Sequence, residues 1–170
     1  SSLLSSCIVP VPKKGDLSLV SNYRSISLID FVAKVMCSIM KSRLQTVVES
    51  SNILCAEQAG FRSREECMAH VLALRETCVR RRCLSLPTFL CFIDLKRAFD
   101  SLPHSALFDK LDALGVRGHV LSTLKSLYSN SSAVVRSGNV VSAPFPTCTG
   151  VRQGDPLSPL LFDLFITDLC

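Results

Sequence analysis

Five consecutive apolar residues, Phe89-Leu90-Cys91-Phe92-Ile93, follow Pro87 and run straight into Asp94. A run of that length and composition predicts a buried strand over Thr88 to Asp94. Such a strand needs cover on both faces, so the chain must build a sheet with helices packed against it. The strand would end on a single carboxylate, a common way to present an oxygen ligand to a hard cation. The plainer alternative is an aspartate that caps the helix after the strand. The rest of the sequence decides between them.

A chain of 170 residues can bury one domain core. With 48% hydrophobic and 19% charged residues, it is not a disordered composition. A net charge of +5 suits a polyanionic partner without demanding one. The basic residues are uneven: Arg80-Arg81-Arg82 form a run, and Lys13-Lys14, Arg62/Arg64 and Lys96-Arg97 form pairs. A run of this kind also serves as an ordinary solvated face. The nine cysteines are scattered, with no Cys-x-x-Cys pair, and several sit inside apolar runs. They read as small hydrophobes rather than a disulfide framework or a zinc site, which points to a reducing compartment. Cys67 and His70 could form half of a metal site, but no second half is visible. No apolar stretch reaches transmembrane length, and no secretory leader pattern opens the sequence. The first residue is not Met, and the expectation is a piece of a longer polypeptide.

Alternating strand and helix signals predict a mixed α/β (α+β) domain. Pro10, Pro12, Gly15 and Asp16 mark Val9 to Asn22 as an extended segment with a turn. Helices are expected over Asp30–Glu49, with Asp30 as N-cap and Phe31, Val35, Ile39, Leu44, Val47 and Val48 as the apolar period. A second helix spans Glu65–Arg81, with Met68, Val71, Leu72 and Val79 in period. Further helices are read over Pro103–Leu114, His119–Tyr128 and Pro156–Leu169. Ser132–Arg136 and Val140–Ala143 flank Ser-Gly-Asn and read as a β-hairpin.

Four segments carry chemistry. Beside Phe92 to Asp100 stands Gly150-Val151-Arg152-Gln153-Gly154-Asp155-Pro156, a tight loop opening a helix. Gly154 permits close backbone approach, the helix N-terminus adds partial positive charge, and Gln153 offers both a donor and an acceptor. Lys13-Lys14 and Asn22-Tyr23-Arg24 place two cationic points either side of a turn, a spacing that can straddle a triphosphate. Gln58-Ala59-Gly60-Phe61-Arg62 is a loop entering a helix. Taken singly, each has a bland reading as a connector, an exposed turn or a helix entry.

Together and in this order, the four segments resemble the reverse transcriptase domain of non-LTR retrotransposons, and more loosely that of group II introns. Asn22 to Leu28 looks like the family's N-Y-R-P-I-S-L motif, Gln58 to Arg62 like Q-x-G-F-R, Phe92 to Asp100 like motif A, and Gly150 to Phe162 like motif B. The resemblance implies a right-hand polymerase fold, with fingers over 1–86 and a partial palm over 87–170. It implies that Asp94 ligates metal with help from the Leu95 carbonyl, in a two-Mg²⁺ site. It further implies that Phe99 lies under the deoxyribose, that Gln153 and Gly154 line the nucleotide pocket, and that Lys13, Arg24 and Arg62 meet the triphosphate or template. RNA template, DNA primer and dNTP are the implied partners, and nucleus and cytoplasm the implied compartments.

The sequence departs from the family at three places, the mildest being Lys96-Arg97, which stands where a small or polar residue and Lys are common. Ser25 stands where proline is usual. More seriously, no Asp-Asp pair occurs anywhere, although the family's motif C supplies the other metal-binding carboxylates on one. One carboxylate cannot hold two divalent ions against their repulsion, so the expectation for these 170 residues alone is no polymerase activity and weak, salt-sensitive nucleic-acid binding. An inactive remnant serving as a nucleic-acid or protein binding module is the alternative. An unrelated α/β domain would leave Asp94, Phe99, Gln153 and Arg24 facing different clefts.

Overall fold

A computed structural model describes residues 5–62, 66–129 and 131–169. The first strand, β1 (Ser5–Pro12), turns back through a short 3-10 segment into β2 (Tyr23–Ile29). The two pair antiparallel, with Ser6 opposite Ile29 and Pro12 opposite Tyr23. On its other side β1 pairs in parallel with β3 (Ser132–Ser137), but only from Ser5 to Ile8. Pro10 and Pro12 therefore fall where β1 has a single neighbour, so their missing N–H groups break no ladder on the open side. Two short strands, β4 (Val140–Val141) and β5 (Phe145–Pro146), complete the sheet against β3. The sheet thus joins residues from both sides of the 86/87 division.

The helices are α1 (Phe31–Ser50), α2 (Cys67–Cys83), α3 (His104–Ala113), α4 (Gly118–Ser129) and α5 (Ser158–Ile166). Asp30 caps α1, its carboxylate accepting from Val32 N at 2.8 Å. The core lies among α1, α3, α4 and α5, with Cys37, Val48, Leu107, Leu111, Leu124, Leu161 and Leu164 almost wholly buried. Eight cysteines are described and all are free thiols. No helix of the described residues is long and apolar enough to cross a membrane.

Several expectations are corrected. No strand forms over Thr88 to Asp94; the segment is irregular and exposed, with Phe89 at 93% and Phe92 at 81%. A strand needs a neighbour's N–H and C=O groups, and no described segment lies alongside to supply them. Helix α1 buries Ala33, Cys37, Leu44 and Val48, not the full expected stripe; Phe31, Val35, Ile39 and Val47 are exposed. The two faces of α1 are both apolar, and the smaller residues Ala33 and Cys37 permit closer packing. Helix α2 buries nothing, so Met68, Val71, Leu72 and Val79 lie open. The expected start of α2 at Glu65 lies outside the described residues. Helix α5 begins at Ser158, with Pro159 rather than Pro156 in its first turn. Strand β2 had not been read as an element.

Candidate nucleotide and template site

Two glycines bring three motif segments together. Gly150 has φ +85°, and a Cβ there would stand 2.9 Å from the Asp100 carbonyl oxygen. That approach lets Gly150 N donate to Leu102 O at 2.7 Å and Val151 N donate to Phe99 O at 2.8 Å. The His104 ring adds a contact to Gly150 O at 2.8 Å. Gly154 repeats the device against β2: its φ is +114°, and a Cβ would meet Ser27 O at 2.9 Å. Ser27 N donates to Gln153 O at 2.8 Å alongside. The glycine loop is therefore pinned to the end of the Asp94–Asp100 segment on one side and to the Arg24 strand on the other.

A cavity of about 120 Å³ opens at this junction, lined by Ile8, Ser25, Ser27, Asp100, Arg152 and Gln153 among others. Asp155, two residues after Gln153, is buried, and its carboxylate accepts from Leu157 N at 2.9 Å. Burial raises the Asp155 pKa, against the opposing pull of the Leu157 amide, the Cys37 thiol, Arg152 and Lys34. Burial and the neighbouring Asp155 charge push Cys37 up to about 12, so this thiol stays protonated and inert.

The expected site residues divide. Gln153 lines the cavity and Gly154 adjoins it. Arg24 is exposed on β2, opposite Val11. Lys13 lies two residues beyond Val11 at the same end of the hairpin, with its Nζ 3.5 Å from Ser21 O. Phe99 is half-buried, stacked on Phe162 at 4.8 Å between centroids and met edge-on by Phe61 at 6.4 Å. Arg62 is turned inward, donating to Cys55 O at 3.0 Å and Gln58 O at 3.3 Å. Asp94 and Leu95 are exposed on the irregular segment and do not line the cavity. Among the described residues, no group of three His, Cys, Asp or Glu could hold a metal ion, and Cys67 and His70 gain no further ligand.

Sequence reasoning missed Asp163 as a participant. It is 3% exposed on α5, where Gln58 Nε2 donates to its backbone oxygen at 3.2 Å. Burial lifts its carboxyl to about 6, although Gln58 and Arg62 both pull it down. The available signal was one carboxylate inside the apolar helix Leu160-Leu161-Phe162-Asp163-Leu164-Phe165.

A mixed α/β domain whose glycine loop is pinned between a two-stranded hairpin and the turn before α3 fits a fingers-and-palm fragment of a right-hand polymerase fold. The chain belongs to the reverse transcriptase (RNA-dependent DNA polymerase) family, which matches residues 11–170. It is similar to the transposon TX1 uncharacterized 149 kDa protein of Xenopus laevis, 29% identical over 92% of this chain and 12% of that protein. The Pol polyprotein of the type-1 retrotransposable element R2 of Popillia japonica is 30% identical over 94% of this chain and 22% of its own length. A probable RNA-directed DNA polymerase from transposon BS of Drosophila melanogaster is 30% identical over 87% of this chain and 16% of its own. The chain thus spans less than a quarter of each of these relatives. These relatives belong to non-LTR elements.

Proposed function

We propose that this chain supplies the fingers, over 1–86, and part of the palm, over 87–170, of an RNA-directed DNA polymerase that copies an RNA template from a DNA primer. The observation that carries the reading is the double glycine clamp. It joins the Arg24 strand, the Phe99–Leu102 turn and the Gln153–Gly154 loop by backbone hydrogen bonds of 2.7–2.8 Å. The clamp sets Gln153 at a cavity beside Asp100 and the β2 serines, whose polar groups offer donors and acceptors to a nucleotide's sugar and phosphates. Lys13 and Arg24 present two cations from one hairpin end toward polyphosphate or template backbone. Phe99 offers an aromatic edge for excluding a 2′-hydroxyl by shape.

Members of this family use divalent metal ions, and Mg²⁺ is the proposed ion, with Asp94 and the Leu95 carbonyl as ligands. The residues present do not by themselves make a two-metal site. Asp94 is exposed, the sequence holds no Asp-Asp pair, and the described residues cluster no three candidate ligands. No step of transfer through metal is assigned to these 170 residues. The proposed work on nuclear DNA, after synthesis in the cytoplasm, rests on the family alone.

Two assays on the purified chain test the reading. Binding to a labelled RNA–DNA primer-template should weaken steeply from low to high salt, and further in Lys13→Ala/Arg24→Ala. Salt-independent binding, or no loss in the double variant, would contradict it. Primer extension with Mg²⁺ or Mn²⁺ should be absent, and extension that disappears in Asp94→Ala would overturn the expectation of inactivity.

A further inference from the structure

Two side chains hold the glycine loop in addition to the backbone clamp, and both meet Tyr128. His104, the first residue of α3, places Nε2 2.8 Å from Gly150 O. A carbonyl oxygen only accepts, so the ring hydrogen must sit on Nε2. Arg152, two residues further along the loop, donates from Nη2 to Leu127 O at 3.1 Å. Leu127 lies in the last turn of α4, where carbonyls lack helical N–H partners and a cation is favoured. His104 meets the Tyr128 ring at 4.9 Å between centroids with planes 68° apart, and the Arg152 guanidinium stands 5.9 Å from its centroid. Phe108 of α3 meets the same ring at 6.1 Å. Tyr128 is buried, and it lines the junction cavity with Gly150, Arg152 and Gln153.

We propose that His104 and Arg152 are positioning residues for the Gln153 loop: braced on Tyr128, they tie Gly150 to α3 and the residue before Gln153 to α4. The clamp acts through main-chain bonds, whereas this brace acts through side chains, so substitution removes it and leaves the clamp's donors and acceptors in place. Its bearing on nucleotide binding rests on the reading of Gln153 as a nucleotide contact, whereas the brace itself does not.

The experiment is isotope-edited NMR on the whole chain. Nitrogen-labelled histidine reports ring tautomers, and His70→Gln/His119→Gln, both exposed, leaves the His104 lines alone. In mildly alkaline buffer, where free imidazole is neutral, His104 should carry its hydrogen on Nε2. The Nδ1–H tautomer would overturn the proposal, and this reading needs no substitution in the brace, so it stands even where the variants below do not fold. Carbonyl-labelled glycine with nitrogen-labelled valine selects Gly115–Val116 and Gly150–Val151, the two Gly-Val pairs of the sequence. His104→Phe keeps a ring against Tyr128 and loses the donor, so it should shift the Gly150 carbonyl line. His104→Gln, whose amide can donate, should bring it back toward its wild-type position. An unmoved Gly150 line, Gln as displaced as Phe, or equal movement of the Gly115 line would overturn the proposal. Carbonyl-labelled leucine with nitrogen-labelled tyrosine selects Leu127–Tyr128 alone. Arg152→Met should shift that line, and Arg152→Lys, which keeps a cationic donor, should shift it less; an unmoved line in Arg152→Met would overturn the Arg152 half. Adding dATP to the wild-type chain forms a separate arm. A Gly150–Val151 line that ignores dATP counts against the nucleotide reading and leaves the positioning result standing.

Discussion

Residues 67–95 and the segments around the glycine loop have similar apolar content and opposite fates. Around the loop, Leu102, Leu107, Leu157 and Leu161 are buried to 2% exposure or less. In α2 and the run after it, Met68, Val71, Leu72, Phe89, Phe92 and Ile93 are all more than half exposed. Hydrophobic burial scales with area removed from water, so the same residue types stabilise one region and contribute little to the other. The difference lies in partners. The glycine loop finds a strand on one side and a turn on the other, whereas Phe89–Ile93 finds no ladder to join. Asp94 belongs to the exposed region and Gln153 to the buried one, so the proposed metal ligand and the proposed nucleotide contact stand on supports of unequal rigidity.

The comparison breaks first at the core. Leu161→Ala should cost about 2–5 kcal/mol in denaturant melts, and Val71→Ala, the same kind of truncation on α2, less than about 0.5 kcal/mol. Equal costs would mean that α2 is packed. Next comes the clamp: Gly154→Ala forces a Cβ against Ser27 O at a φ that L-residues avoid, and should cost on the order of 1–3 kcal/mol. A neutral Gly154→Ala would remove the clamp from the account.

A pH dependence accompanies these costs. The folded chain keeps the Asp163 proton up to about pH 6, whereas the unfolded chain releases it near its ordinary value of 3.8. The folded state therefore binds more protons across that window, and stability falls as pH rises through it, by on the order of 3 kcal/mol. Asp155, also raised by burial, adds a contribution of the same sign. In Asp163→Asn the slope between pH 4 and 6 should flatten, leaving the Asp155 share. An unchanged slope would show that Asp163 does not titrate in this range.

Much of the buried region is legible in the sequence. Asp30 announces α1, and the helices expected over Pro103–Leu114, His119–Tyr128 and Pro156–Leu169 form as α3, α4 and, from Ser158, α5, because capping and helix-boundary signals are local properties. The four motif segments were legible as words, and the family match over 11–170 agrees with them. What the glycines approach was not legible. Gly154 was read as making room for a ligand, and the structure fills that room with the protein's own Ser27 carbonyl. The strand over Thr88–Asp94 failed for a non-local reason: apolar content favours a strand, but only a neighbouring chain segment can make one. The buried face of α1 differs from the expected one because small residues such as Ala33 and Cys37 carry little weight in an apolar period, yet they are among the residues that are buried. Gln58 and Arg62 were noticed as motif letters, and their inward bonds to α5 and to their own loop depend on tertiary placement.

Amide hydrogen exchange on the intact chain, resolved to peptides, tests the contrast most directly. The account predicts slow exchange at Ser27, Gly150 and Val151, whose amides make the clamp, and exchange near the unfolded rate across Phe89–Asp94. Protection across Phe89–Asp94 equal to that of the clamp amides would contradict it, because the proposed metal ligand would then stand on a paired strand.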